Sequence, residues 1–293
     1  MFSRLYVDLF LFSFFFSISF CVFCSLVDNL LGFWFFLELC GLSLVPSFFY
    51  TGSGGVYNFY GSLLTYLVVS SLSSVFLLSG ILFSNLYMMV VIGFIIKLGL
   101  FPFMFWVYRV FSGSNWAFIF LVSVVAKFPI LFFCFLLENG GQCQLVLFID
   151  AFMTILVCSC MFWFYSHSWE CIWCHISQSS VSTLFVACFC SDFSTCFFIY
   201  CYYFIWAGSS LFYLYCEGSD SLGLRGRFWW YCFLLLVTPL SLPLFYKLSV
   251  CLAILYSSIY LLLVWCLYSF SEQFFLYKVA TDNCFSGVFN SWC

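Results

Sequence analysis

Charge is what this chain lacks. Eight basic and eleven acidic residues amount to 6% of 293 positions, against about 25% in a soluble domain. No water-soluble surface can be built from so few charges, so the chain reads as an integral membrane protein. It has no basic cluster, which excludes a phosphate-binding face for nucleic acid. Proline occurs five times and histidine twice. Long polar loops are missing as well. The longest polar stretch is residues 216–227, and no segment reads as a soluble domain. The glycines in "TGSGGVYNFYG" therefore do not make a nucleotide loop, which needs a soluble βαβ unit. A cleavable signal peptide is not expected either. The first apolar run is long enough to span and lacks a small-residue cleavage site.

What is present is apolar and aromatic. Hydrophobic residues make up 66% of the chain, with 46 Phe, 11 Trp and 19 Cys. The excess falls on residues with T- and G-rich codons, as expected of a small, strand-skewed genome such as a mitochondrial one. That weakens any argument from cysteine. In a secreted chain, so many would suggest disulfides or metal sites. Inside apolar runs a free Cys behaves as a small hydrophobe.

A bilayer core of about 30 Å needs about 20 helical residues. The polar breaks divide the chain into spans near 5–27, 30–50, 60–83, 86–108, 115–137, 143–165, 174–191, 196–216, 228–247 and 249–270. The expected fold is all-α, a single integral membrane bundle over 1–293 of about ten transmembrane helices, some broken. The mixed tail 271–293 is expected on the membrane surface. Arg4, Arg109, Arg225, Arg227 and Lys278 then fall on one side, which puts both termini inside.

The three remaining lysines, Lys97, Lys127 and Lys247, lie in or at the end of apolar spans. A lysine at a helix centre costs about 2.5–3.5 kcal/mol on insertion scales. Such residues usually face a bundle interior or a wet cavity and serve ion pathways. The bland alternative is snorkelling to the headgroups, and it suits Lys247 best because that residue is read near a span end. Four of the five prolines lie near a lysine. Pro102 follows Lys97, Pro129 follows Lys127, and Pro239 and Pro243 precede Lys247. Each proline displaces the carbonyl four residues earlier, Leu98 for Pro102 and Val125 for Pro129. Freed carbonyls in lipid need water or a polar partner. A broken helix beside an ionisable group is how transporters build midplane ion sites. Glu38, in "FWFFLELCG", is the matching acid. A buried carboxylate and a buried ammonium each restore the other's charge, and a pair that can separate releases a proton. The alternative is a permanent ion pair that only joins two helices. The other acids, Glu272 among them, are read near ends or loops, and Asp150 stays open.

These residues carry a resemblance. "FFLELCGLSLVP", "KLGLFPFMFWVYRVF", "AKFPILFF", "HISQSSVS" and "TPLSLPLFYKL" resemble, in order, motifs of the mitochondrial NADH dehydrogenase subunit 2 family. These are antiporter-like membrane subunits of respiratory complex I. The resemblance runs from residue 35 to 248. It implies a proton-translocating subunit of NADH:ubiquinone oxidoreductase in the mitochondrial inner membrane. Its relay would be Glu38 as acid, Lys97 as central carrier, Lys127 as connection and Lys247 as the distal site. Ser177, Ser179 and Ser180, on what the family has as a broken helix, form a candidate hydroxyl relay. It also implies no flavin, iron–sulfur cluster or NADH site on this chain. Those cofactors would sit on partner subunits, and the partners would be other membrane and peripheral subunits of complex I and membrane lipid. Met104 and Ser180 stand where the family commonly has His, and Tyr108-Arg109 where it often has Pro-Glu. The alternative function is a stand-alone cation/proton antiporter or other secondary transporter.

A rival signal is "CIWCH", residues 171–175. It matches the C-x-x-C-H attachment signature of c-type haem, with His175 as iron ligand. It reads as a bystander motif on the wrong side of the membrane, and His167 as a loop residue.

Overall fold

The computed structural model describes residues 2–50, 56–138, 143–164, 168–217 and 228–284, and they are all helix, turn or short connection. In hydrocarbon every backbone N–H and C=O must be satisfied within the segment, which leaves helices as the solution for apolar runs of this length. Among the described residues, eight stretches are long and apolar enough to cross a bilayer. The chain is thus a multi-pass membrane protein.

The simple crossings are α1 (Phe2–Leu26), α3 (Val56–Leu82), α8 (Cys143–Phe164), α9 (Trp169–Cys190), α10 (Phe193–Glu217) and α13 (Ile259–Cys284). α2 (Leu30–Leu44) tightens into a 3-10 turn, Val45–Tyr50, which holds Pro46. Three further crossings are broken: α4 (Met88–Leu98) with α5 (Phe105–Ser112), α6 (Trp116–Ser123) with α7 (Pro129–Glu138), and α11 (Phe228–Leu234) with α12 (Leu242–Leu255). Counting each broken pair once restores the ten expected crossings among the described residues.

Two expected boundaries are wrong. α12 runs on to Leu255 and α13 begins at Ile259, so Lys247 lies within a helix, not between two. α13 then continues to Cys284, so residues 271–284 extend the last helix with no break after Ser271, and residues 285–293 of the expected surface tail lie outside the described residues. The expected turn in "CSDFSTC" is present at Ser191–Asp192.

α9 is the hub. It packs against α5, α7, α8, α10 and α12, and its residues from Ile172 to Ala187 are all buried. Ser168 caps its start by accepting from the Cys171 N–H at 3.4 Å, with Glu170 in the first turn to favour the positive helix end. The resemblance implied a broken helix here. α9 is instead continuous over 22 residues.

All five prolines lie at breaks or helix ends. Pro102 is in the α4–α5 break, Pro129 opens α7, Pro239 is in the α11–α12 break and Pro243 is in the first turn of α12. At that last place the missing N–H costs nothing. α4 stops because Gly99 takes the left-handed conformation, φ 69°, and closes onto Ile95 and Ile96.

Candidate functional site

The carbonyls released at the breaks find side chains. They are not the ones expected at Leu98 and Val125 alone, but near them. Trp106 Nε1 donates to Ile96 O at 3.0 Å. Tyr203 and Tyr200 of α10 donate to Ser123 O and Val124 O at 2.8 and 3.0 Å, and the Cys21 thiol reaches Val125 O at 3.6 Å. Trp206 Nε1 donates to Leu234 O at 2.7 Å. Each break is thus a held shape, with polar backbone turned inward.

A lysine lies at or near each break. Lys97, in the last turn of α4, forms an ion pair with Glu38 of α2. Both side chains are mostly covered, 14% and 22% exposed. The acid and the carrier read from sequence are therefore brought together.

Lys127 ends the 3-10 turn between α6 and α7 and is 3% exposed. Its ammonium donates to Ser177 O at 2.6 Å, Ser180 Oγ at 2.8 Å and Tyr203 OH at 3.0 Å. No carboxylate pairs with it among the described residues. Its three donors are all used, but by neutral acceptors.

Between Lys97 and Lys127 lies a cavity of about 70 Å³. Cys40, Tyr66, Trp106, Ser177 and Gln178 help line it, and both lysines open into it. One water needs roughly 10–15 Å³ of such volume and two or more polar partners, so the cavity has room for a short water chain.

Lys247, in α12, pairs with Glu272 of α13 at 3.0 Å. Its Nζ is off the line for a hydrogen bond, so the contact is an ion pair and not a formed N–H···O bond. The side chains are 10% and 1% exposed. The snorkelling alternative for Lys247 is overturned by this burial, and the placing of Glu272 near a surface tail by its pairing. One signal could have found Glu272. Leu261, Trp265, Tyr268, Leu276 and Val279 are all buried at helical spacing, and Glu272 falls on the same stripe.

α9 stands between these stations. Ser177 and Ser180 meet Lys127, while Ser179 and Thr183 line a small cavity of about 10 Å³ beside Lys247 and Glu272. The three serines expected as a relay therefore face two different stations. The hydroxyls of Ser179, Ser180, Ser182 and Thr183 donate back to carbonyls three residues earlier, at 2.7 to 3.0 Å. Their lone pairs stay free to accept.

Asp150 of α8 is buried at 8%, with Oδ2 unpartnered. Met104 is fully buried, and Tyr108 OH meets His175 Nδ1 at 2.5 Å. The "CIWCH" run is one stretch of α9, with Cys174 and His175 at 0% exposure. Phe162 packs 5.0 Å from the His175 ring. His167, Arg225 and Arg227 lie outside the described residues.

No known family model and no curated protein matches the chain. Solved structures do. A chain of the Mrp complex from Dietzia sp. DQ12-45-1b superposes with TM-score 0.73 at 16% identity, over 90% of this chain and 58% of that one. A chain of respiratory complex I from Thermus thermophilus, with bound aureothin, gives 0.71 at 14%, over 96% and 75%. A chain of the membrane-bound sulfane sulfur reductase, an archaeal respiratory membrane complex, gives 0.70 at 15%, over 94% and 66%. The chain thus spans under two thirds of the Mrp chain's length. At these identities the likeness is one of fold.

Proposed function

We propose that this chain is a proton-translocating, antiporter-like membrane subunit of a respiratory assembly. At the finer level it is a subunit-2-type component of NADH:ubiquinone oxidoreductase in the mitochondrial inner membrane, which makes it part of an enzyme without an NADH or redox-cofactor site of its own. Its partners are then the other membrane and peripheral subunits of that complex.

The observation that carries this reading is the row of three mostly covered lysines at or near helix breaks, joined by a cavity and by the hydroxyls of α9. Such a row is costly in lipid unless a charge must stop there. A proton reaching the Glu38–Lys97 pair neutralises the carboxylate and loosens the ammonium. Once Lys127 has released a proton onward along the hydroxyls of α9, Lys97 passes one through cavity water to the Lys127 amine, and Glu38 then returns its proton to the Lys97 amine. Nothing but protons moves, and each station returns to its starting charge.

The test is Lys97→Met in the native assembly. The variant is expected to assemble, seen as an unchanged band on a native gel, and to lose at least about tenfold in proton transfer per turnover. Near-normal pumping would sink the reading. A stand-alone cation/proton antiporter is the second reading, favoured by the fact that all three stations lie within this one chain. Mass spectrometry of the native band separates the two. A very large assembly with NADH-oxidising activity supports the first, and a lone chain or small oligomer the second.

A further inference from the structure

The Lys247–Glu272 pair is built differently from the Glu38–Lys97 pair. Glu272 lines the closed cavity against α9 with Ser179, Thr183 and Tyr268, and its Oε1 also accepts from Gln273 Nε2 at 3.4 Å. Lys247 lines that cavity and also a second, open groove of about 410 Å³ on the far side, beside Ser269 and Gln273. The exposed part of Lys247 is its stem, since Nζ itself is buried, while Glu272 is sealed. Lys247 Nζ and Tyr268 OH are both buried without a hydrogen-bond partner. A buried polar group left so is costly. The closed cavity, about 10 Å³, is at the lower limit for one water, and a water there would meet both groups and the Glu272 carboxylate.

We propose that Glu272 is a further proton-holding carboxylate of the relay, and that with Lys247 it gates passage between α9 and the groove. This rests on the proton-translocation reading above. A proton arriving by way of Ser179 and the cavity water binds Glu272 and cancels its charge. The Lys247 ammonium, no longer held, turns to the groove and gives up one proton to a water held by Ser269 Oγ and Gln273, the polar groups beside it there. The neutral amine returns and takes the proton from Glu272, so an O–H bond breaks as an N–H bond forms. One proton has entered from the α9 side, one has left at the groove, and the ion pair is restored. The reverse order runs equally well.

The experiment uses the full chain in its native assembly, in sealed vesicles with an internal pH dye, energised by the assembly's own redox reaction. Glu272→Gln, the double variant Glu272→Gln/Lys247→Met, and Lys97→Met are compared. Glu272→Gln is expected to lower proton transfer per turnover by about tenfold or more. The double variant buries no unpaired charge, so it should assemble even if the single one does not, and should not regain transfer. Retention within about twofold in Glu272→Gln would overturn the proposal. So would recovery in the double variant, since Glu272 would then only neutralise Lys247. Failure of the double variant to assemble would make the pair a structural staple and overturn it too. Loss in Lys97→Met with retention in Glu272→Gln overturns this inference alone. Retention in both overturns the reading beneath it.

Discussion

At the scale of the residue, Lys127 is the sharpest case. Its ammonium is almost wholly buried and held by a carbonyl and two hydroxyls, with no anion. A charge in that setting lowers stability, and replacing it with an apolar side chain of similar length is neutral or favourable. Lys127→Met is therefore expected to keep or raise the thermal midpoint of the solubilised assembly while proton transfer falls by about tenfold or more. A parallel loss of both would make Lys127 a structural residue. The lysines, Glu38 and their prolines were legible because each is an exception within an apolar run, and exceptions in lipid must have a use. Glu272 was not, because the hydropathy falls after Ser271 and the segment reads as an exit from the bilayer. Its helical register with Trp265 and Tyr268 was the better guide. The Tyr108–His175 contact was hidden for another reason. It joins residues 67 apart in sequence, and no local spacing announces it.

At the scale of the element, the breaks are held by specific backbone geometry. Gly99 has φ 69°, and a Cβ there would meet Val107 and Gln178. Gly99→Ala should cost about 2 kcal/mol or more from the left-handed conformation and the overlap together, read as a lower thermal midpoint. Leu240, in the α11–α12 break, has φ 67°. A non-glycine residue there carries about 1–2 kcal/mol of strain, offset in part by the greater unfolded-state freedom of glycine. Leu240→Gly should thus be neutral to about 1 kcal/mol more stable. A mutant less stable than the parent would mean that Leu240 makes contacts that outweigh its strain. Elements as such were readable, since polar breaks mark most ends. The α12–α13 boundary was not. Apolar residues run almost unbroken from Leu242 to Phe270, and only Ser257 and Ser258 mark the bend.

At the scale of the molecule, about ten crossings follow from composition and span length, and among the described residues eight stretches are long and apolar enough to cross, with two further broken pairs beside them. What composition does not tell is which helix becomes the hub. α9 is the most polar of the long spans, with a hydropathy of 1.2, and is also the most enclosed. Serine and threonine hydroxyls satisfied by their own helix allow that, because they bring no unmet demand into the core. The breaks differ in where they put their lysine. Lys97 sits in the closing turn of α4, at the carbonyl end, where a helix draws a positive charge by about 0.3–1 kcal/mol. Lys247 sits in the second turn of α12, past the amide end. Under the proposed function, the end of α4 adds to the pull of Glu38 on a charge at Lys97, whereas α12 lends Lys247 no such help and leaves it to Glu272 alone.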